Sequence, residues 1–299
     1  MRSHATSQVI GSILAGAIGD AVGRPYEGLE VVSDVHLTGT RISDDTALTL
    51  ATCEAITSDR GVVDAASIAS RMAFWFNAGR VEGMGASTTK ALTELSAGGH
   101  WALVGRKGEY AAGNGAAMRI APLAFCVDPN SEQGRVLIRD VSRITHHNEE
   151  AYVGALAIAL AIQAIVNGLE KDLMFSYLLE QLPDSRLRDR MRQLIGLIGC
   201  SISSVAHELG TSGYAATSVA LSIYAATQLG LLGFENMISQ VVAVGGDTDT
   251  LASMTGQIAG AALGFEQLPH HLVEQLENSE MIKGISAEFA SVVVNEARS

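Results

Sequence analysis

Between Gln193 and Ile282 the sequence contains no lysine and no arginine. Aromatic residues make up only 5% of the chain and charged residues only 17%, both low for a globular protein. Lys+Arg number 20 against Asp+Glu 32, and the net charge of −12 argues against nucleic acid or an anionic membrane as the main partner. Three cysteines, Cys53, Cys126 and Cys200, are odd in number and far apart, which excludes zinc spacing and a disulfide framework. They read as small hydrophobes in a reducing compartment, so the expected location is cytoplasmic. Period-2 alternation is nearly absent; VVSDVHL (31–37) is the best strand candidate in the chain. No GxSxG, Walker loop or Cys–His arrangement occurs, so nucleophilic and P-loop chemistry have no support.

What the sequence has in abundance is helical periodicity. Hydrophobic residues form 47% of 299, enough for a sizeable core. The pattern predicts helices over roughly 7–22, 45–58, 64–78, 86–97, 131–144, 149–168, 171–181, 186–208, 213–230, 234–243, 250–263 and 281–297. All five prolines, at 25, 122, 129, 183 and 269, fall between these segments or at their ends. Many of the 31 glycines stand near alanines inside helices, where small residues let helices approach closely. No linker, low-complexity tract or fixed-period repeat is visible. The expected fold is therefore all-α, a compact bundle of many helices in a single domain spanning 1–299. Two uncharged stretches near spanning length, 151–168 and 213–233, carry scattered Gln, Asn, Ser and Thr; they read as central bundle helices and not as membrane spans. The apolar run at the N-terminus is closed by Asp20 and reads as a mature helix, not a signal peptide.

Two acidic turns stand out against the missing cations. GGDTDT (245–250) places Asp247 and Asp249 one residue apart ahead of a strong helix. ISDDTALTL places Ser43, Asp44 and Asp45 ahead of another. Asp, Ser and Thr are ordinary helix N-caps, and carboxylates suit the positive end of the helix dipole. Four carboxylates in two similar positions, each beside a hydroxyl, also form the oxygen-rich set that hard divalent cations prefer. If the two turns face each other, they supply a two-metal site with ions about 3.5–4 Å apart. Other candidates are weaker alone: Asp20 and Glu27 in GDAVGRPYEG, the Gly-rich helix entries GRVEGMGASTTKAL and GNGAAMRIAPLAF, and the His146–His147 pair in RITHHNEEA.

Taken in order, GAIGDAVGRPYEG, SDDTALTL, GNGAAMRIAPLA, THHNEEAYVGALA and GGDTDTLASMTGQIAGA resemble the ADP-ribosylglycohydrolase family over about residues 8–265. The resemblance implies an all-α fold with two divalent cations, Mg²⁺ or Mn²⁺, at the bottom of a cleft. It implies Ser43, Asp44, Asp45, Asp247, Asp249 and Thr250 as metal ligands and Glu27 as the catalytic carboxylate. Gly113, Asn114, Gly115 and Ala116 match the loop along the ADP-ribose phosphates, and His146 matches the histidine that helps hold the nucleotide. The implied reaction is hydrolysis of the glycosidic bond between ADP-ribose and an acceptor, such as a modified protein arginine. Two alternatives are a non-catalytic ADP-ribose binder of the same fold and a two-metal phosphoesterase. Retention of Glu27 argues against the first; the absence of Lys and Arg around the second acidic turn argues against the other. Only fifteen residues separate Glu27 from Ser43, a compact connection for this family.

Overall fold

The computed structural model describes residues 2–296, with side chains over 5–294. Among the described residues are fifteen α-helices: α1 Arg2–Gly23, α2 Asp44–Ser58, α3 Ala65–Asn77, α4 Ala86–Ser96, α5 Glu132–Arg143, α6 Glu149–Val166, α7 Met174–Gln181, α8 Arg186–Ile195, α9 Ile202–Leu209, α10 Ala215–Thr227, α11 Leu229–Leu232, α12 Phe234–Ala243, α13 Thr248–Leu263, α14 His270–Glu274 and α15 Ser279–Glu296. The only strands among them are the two-residue pair β1 (Arg106–Lys107) and β2 (His146–His147), which run parallel with Arg106 opposite His146. The fold is the all-α bundle that the sequence pattern predicts.

Its spine is the antiparallel pair α1 and α13. Gly11 faces Gly260, Ala15 faces Gly256, Gly19 faces Ala252 and Gly23 faces Thr248, so one side of each helix carries almost no side chain. A Cβ on Gly19 would lie 2.1 Å from the carbonyl oxygen of Ala252, and one on Gly256 would lie 2.2 Å from that of Ala15. Backbone meets backbone along the whole seam. Two polar side chains inside this contact bond across it: Ser12 donates to the Gln257 carbonyl at 2.8 Å and Thr248 Oγ1 to the Gly23 carbonyl at 2.8 Å.

Around the spine stand α6 and α10, apolar on nearly every side and buried along their central turns, over 151–162 and 215–226. The span at 149–166, like that at 5–26, is long and apolar enough to cross a membrane, yet both lie mostly buried inside the bundle, as core helices do.

The structure corrects several boundaries. Residues 31–37 are irregular and not a strand; no neighbouring strand offers a ladder, and Val35 and Leu37 pack instead against the core. The predicted helix 186–208 is two helices, because Gly199 at φ 87° breaks it and Ser201 caps the second. The segment 213–230 divides into α10 and α11, and the short α14 has no counterpart in the prediction. The last residue of the predicted helix 281–297 and both ends of the 1–299 domain lie outside the described residues.

Gly19→Ala forces a methyl into the α1–α13 backbone contact and is expected to cost about 1–3 kcal/mol, the usual range for overpacking. Gly284→Ala, in α15 with open space around it, should instead stabilise by about 0.5–1 kcal/mol. Urea denaturation midpoints of the two variants test the pair; equal midpoints would show that the seam tolerates side chains.

Candidate metal centre

The α1–α13 seam ends at Gly23 and Thr248, so the chain leaving α1 passes directly over the start of α13. Gly28 N–H donates to the Gly246 carbonyl at 2.8 Å, and Gly246 N–H returns a bond to the Leu29 carbonyl at 2.8 Å. Gly245 and Gly246 adopt φ of 73° and 82°, and a Cβ on either would strike Glu30 or Thr211. The glycine pair ahead of Asp247 is thus required by conformation and by close approach. Its effect is to bring Glu27 beside Asp247 and Asp249.

The second acidic turn is set by Asp20. This carboxylate, fully buried near the end of α1, accepts from the backbone N–H of Ser43 at 2.9 Å and of Thr46 at 3.1 Å, and from the Thr46 hydroxyl. It satisfies orphan donors at the start of α2 from another helix and so fixes the turn that carries Asp44 and Asp45. Ser43 also caps α2, its Oγ accepting from Asp45 N–H. Asp247, by contrast, makes no capping bond to α13; its Oδ2 accepts from Asn114 Nδ2 at 2.6 Å. The capping explanation holds for Ser43 and fails for Asp247.

The two turns do face each other. Thr250 Oγ1 and Ser43 Oγ both donate to Asp45 Oδ2, at 3.3 and 3.0 Å. Carboxylate oxygens of Asp20, Asp45 and Asp249 lie within 4.8 Å of one another, and so do those of Glu27, Asp247 and Asp249. Burial, with Asp20, Asp247 and Glu27 nearby, pushes the Asp44 carboxyl up to about 7. Burial followed by Asp247 pushes Asp249 up to about 9, and burial with Asp249 holds Asp45 well above the usual range. Glu27 is raised by burial and by Asp247, and lowered by Arg24.

The donor set fits divalent cations. All the converging side-chain atoms are oxygens, and Asp45 Oδ1 is buried without any hydrogen-bond partner. Asp20 is the member of the cluster least free to coordinate, because both its oxygens are taken by N–H and O–H donors.

These groups form the floor of a cleft of about 550 Å³. Asn114, whose N–H donates to Gly213 at 2.9 Å, sits between the floor and a glycine turn. Beneath that turn lies His146: a Cβ on Gly115 would be 2.7 Å from its ring. Burial, then Arg119 and His147, depresses His146 to about 3, so its ring is neutral, with Nδ1 2.7 Å from Thr145 Oγ1. The first turn of α4, with Gly85, Ser87 and Thr88, forms one wall.

Of the residues expected at the site, Glu27, Asp44, Asp45, Asp247, Asp249, Thr250, Gly113, Asn114, Gly115 and His146 line the cleft. Ser43 lies just behind, on Asp45. Ala116 does not line it: its methyl is fully buried in the hydrophobic core, turned away by the short helical turn at Asn114–Ala116. Asp20 and Arg119 were not assigned roles from the sequence. Arg119 is fully buried and donates to the carbonyls of Gly115 and Val141; burial lowers its pKa to about 10, against the opposing charge of Asp44. The signal for it was its place in GNGAAMR, immediately after the glycine turn.

An all-α bundle with a cleft floored by carboxylates at two helix N-termini is the architecture of an enzyme class, and comparison with known proteins gives the class its name. The chain matches the family described as ADP-ribosylglycohydrolase over residues 1–298. It is 28% identical to ADP-ribosylhydrolase ARH3 of Danio rerio, over 88% of this chain and 84% of that protein. It is 26% identical to ADP-ribosylarginine hydrolase Tri1 of Pseudomonas putida (strain GB-1), over 96% of this chain and 78% of that protein. A solved structure described as an ADP-ribosylglycohydrolase-related protein complex shares the fold, with a TM-score of 0.78 at 23% identity, covering 98% of this chain and 100% of that one. The chain belongs to the ADP-ribosylglycohydrolase family and is an enzyme of that class.

The raised carboxyls give a pH signature. Folded Asp44 and Asp249 titrate near 7 and 9 against an ordinary 3.8, so between about pH 4 and about pH 9 the folded chain holds protons that the unfolded chain has released. Stability of the protein kept in chelator should therefore fall as pH rises through that window. Saturating Mg²⁺ or Mn²⁺ should flatten the fall, and so should Asp249→Asn in chelator. Melting midpoints across the window test this; a midpoint in chelator that rises from acid to neutral pH would refute it.

Proposed function

We propose that the protein hydrolyses the glycosidic bond between ADP-ribose and a modified protein side chain, with arginine as the acceptor, using two divalent cations, Mg²⁺ or Mn²⁺. The observation that carries this reading is the convergence of Glu27, Asp44, Asp45, Asp247 and Asp249 on one cleft floor, in a chain of this family. Arginine is favoured by the similarity to relatives named ADP-ribosylarginine hydrolase. We further propose one domain over 1–299 and a cytoplasmic setting, in keeping with its three free cysteines.

Asp44, Asp45, Asp247 and Asp249, with the hydroxyls of Ser43 and Thr250, would hold the cations. When bound, the cations supply Lewis acidity and fix the vicinal hydroxyls of the ribose being cleaved. The chain's own part is orientation and proton handling. Asn114 holds Asp247 at 2.6 Å and keeps the floor in register with the glycine turn. That turn offers close backbone approach to the diphosphate, with neutral His146 packed beneath it. Glu27 enters from the exposed rim, and its raised pKa suits a group that takes or gives a proton at the scissile bond. Cleavage builds positive charge on the ribose carbon, and Glu27, the cleft carboxylate not assigned to the cations, is the anionic group that can stabilise it.

Glu27→Gln should lower turnover of an ADP-ribosylated arginine peptide by about 10²–10⁴, the usual worth of general acid–base catalysis. Its metal stoichiometry and ADP-ribose affinity should stay within a few-fold of wild type. Asp249→Asn should lose metal, ligand and rate together. Calorimetry and ADP-ribose release measure all three; a wild type that retains full activity after exhaustive chelation would end the metal reading. A serine-linked peptide cleaved faster than the arginine-linked one would reassign the acceptor.

A further inference from the structure

The carboxylate floor and the cations it would hold are given to the ribose, so a diphosphate further along the cleft meets only what the walls supply. Arg106 is the one lysine or arginine among the residues lining it. Its position is fixed by the backbone: Arg106 N–H donates to the Thr145 carbonyl at 3.1 Å, and the parallel β1–β2 register sets Arg106 opposite His146. Paired residues in a ladder point to the same face, so Arg106 shares the cleft face with His146. Lys107 and His147 take the other face, where Lys107 acts on Glu94. The Arg106 guanidinium lies 5.8 Å from the centre of the exposed Tyr110 ring and forms no ion pair or hydrogen bond among the described residues. An exposed arginine held over an aromatic ring without an anionic partner is poised for an external anion.

The contacts run in sequence from Asp247 to Asn114, from the Gly113–Gly115 turn to His146, and from His146 across the ladder to Arg106. From this geometry we infer that Arg106 is the specificity residue for the diphosphate of the substrate: it binds the anionic part while the carboxylate floor serves the ribose. The inference rests on the proposed reading of the cleft as an ADP-ribose site. It assigns Arg106 to ground-state recognition and not to the chemical step, so its loss is felt in binding.

The test uses ADP-ribose with saturating Mg²⁺ on the full chain. Arg106→Ala should weaken ADP-ribose about tenfold by calorimetry, the worth of one partly exposed charge-assisted contact. KM for the modified peptide should rise by a similar factor, with kcat within about twofold. The wild-type affinity should fall as salt is raised, and the variant should show a shallower fall because one screened ion pair is gone. Arg106→Lys should recover part of the affinity and of the salt dependence. Affinity within twofold of wild type and an unchanged salt slope in Arg106→Ala would overturn this inference while leaving the ADP-ribose reading intact. A wild type that neither binds ADP-ribose nor cleaves the peptide would overturn both.

Discussion

The structure depends on one contact, the glycine- and alanine-lined seam between α1 and α13. Helices separated by ordinary side chains have some freedom to slide and rotate, because flexible groups fill the gap. Here carbonyl oxygens of one helix sit where the Cβ atoms of the other would be, which fixes depth and register together. Because the helices are antiparallel, the end of α1 is bound to the start of α13. Asp20, Glu27, Asp247 and Asp249 come from opposite halves of the chain, yet this seam makes their separation a matter of helix geometry. Asp20 then carries the order one step further, through its bonds to Ser43 and Thr46, to the start of α2.

That precision is needed because the site itself opposes folding. Carboxylates buried side by side repel, and burial raises Asp20, Asp44, Asp45 and Asp249 above their ordinary range. The starts of α2 and α13 give partial relief through N–H groups such as Thr250 N, which donates to Asp249 Oδ1 at 2.8 Å. Arg119, buried below the glycine turn, adds one cation on the Asp44 side. Neither reaches Asp45 Oδ1. A large, closely packed helical core is what holds such an arrangement together, and the cations that the donor set fits would turn the same repulsion into affinity.

Much of this was legible in the sequence, for stated physical reasons. Paired acidic caps ahead of two strong helices are a local pattern, and family resemblance joined them into one site. The structure adds that Asp247 spends its carboxylate on Asn114 and not on its own helix, which no local rule reveals. Asp20 is only a weak candidate in the sequence, because its partners are more than twenty residues away. Ala116 belongs to the glycine-turn motif but serves the core, since the short helical turn over Asn114–Ala116 directs its methyl inward. The failures of secondary structure have the same origin. Alternation over 31–37 needed a partner strand to become real, and the apolar period over 186–208 continued through a break that only Gly199's left-handed backbone discloses.

The charge distribution finally explains how so acidic a chain can serve an anionic ligand. With −12 overall and no lysine or arginine between Gln193 and Ile282, long-range attraction of a diphosphate is not available. Recognition must be local. The glycine turn and the start of α4 line the cleft with backbone and small uncharged side chains. His146 is kept neutral, so the turn rests on a rigid ring and not on a competing cation. One exposed arginine, paired with His146 in the β1–β2 ladder, can then discriminate, because no other side chain lining the cleft carries a full positive charge. Separating the carboxylate floor from that arginine by a neutral glycine turn also prevents the two from pairing with each other, which leaves both ends of the cleft free for the two chemically different ends of the substrate.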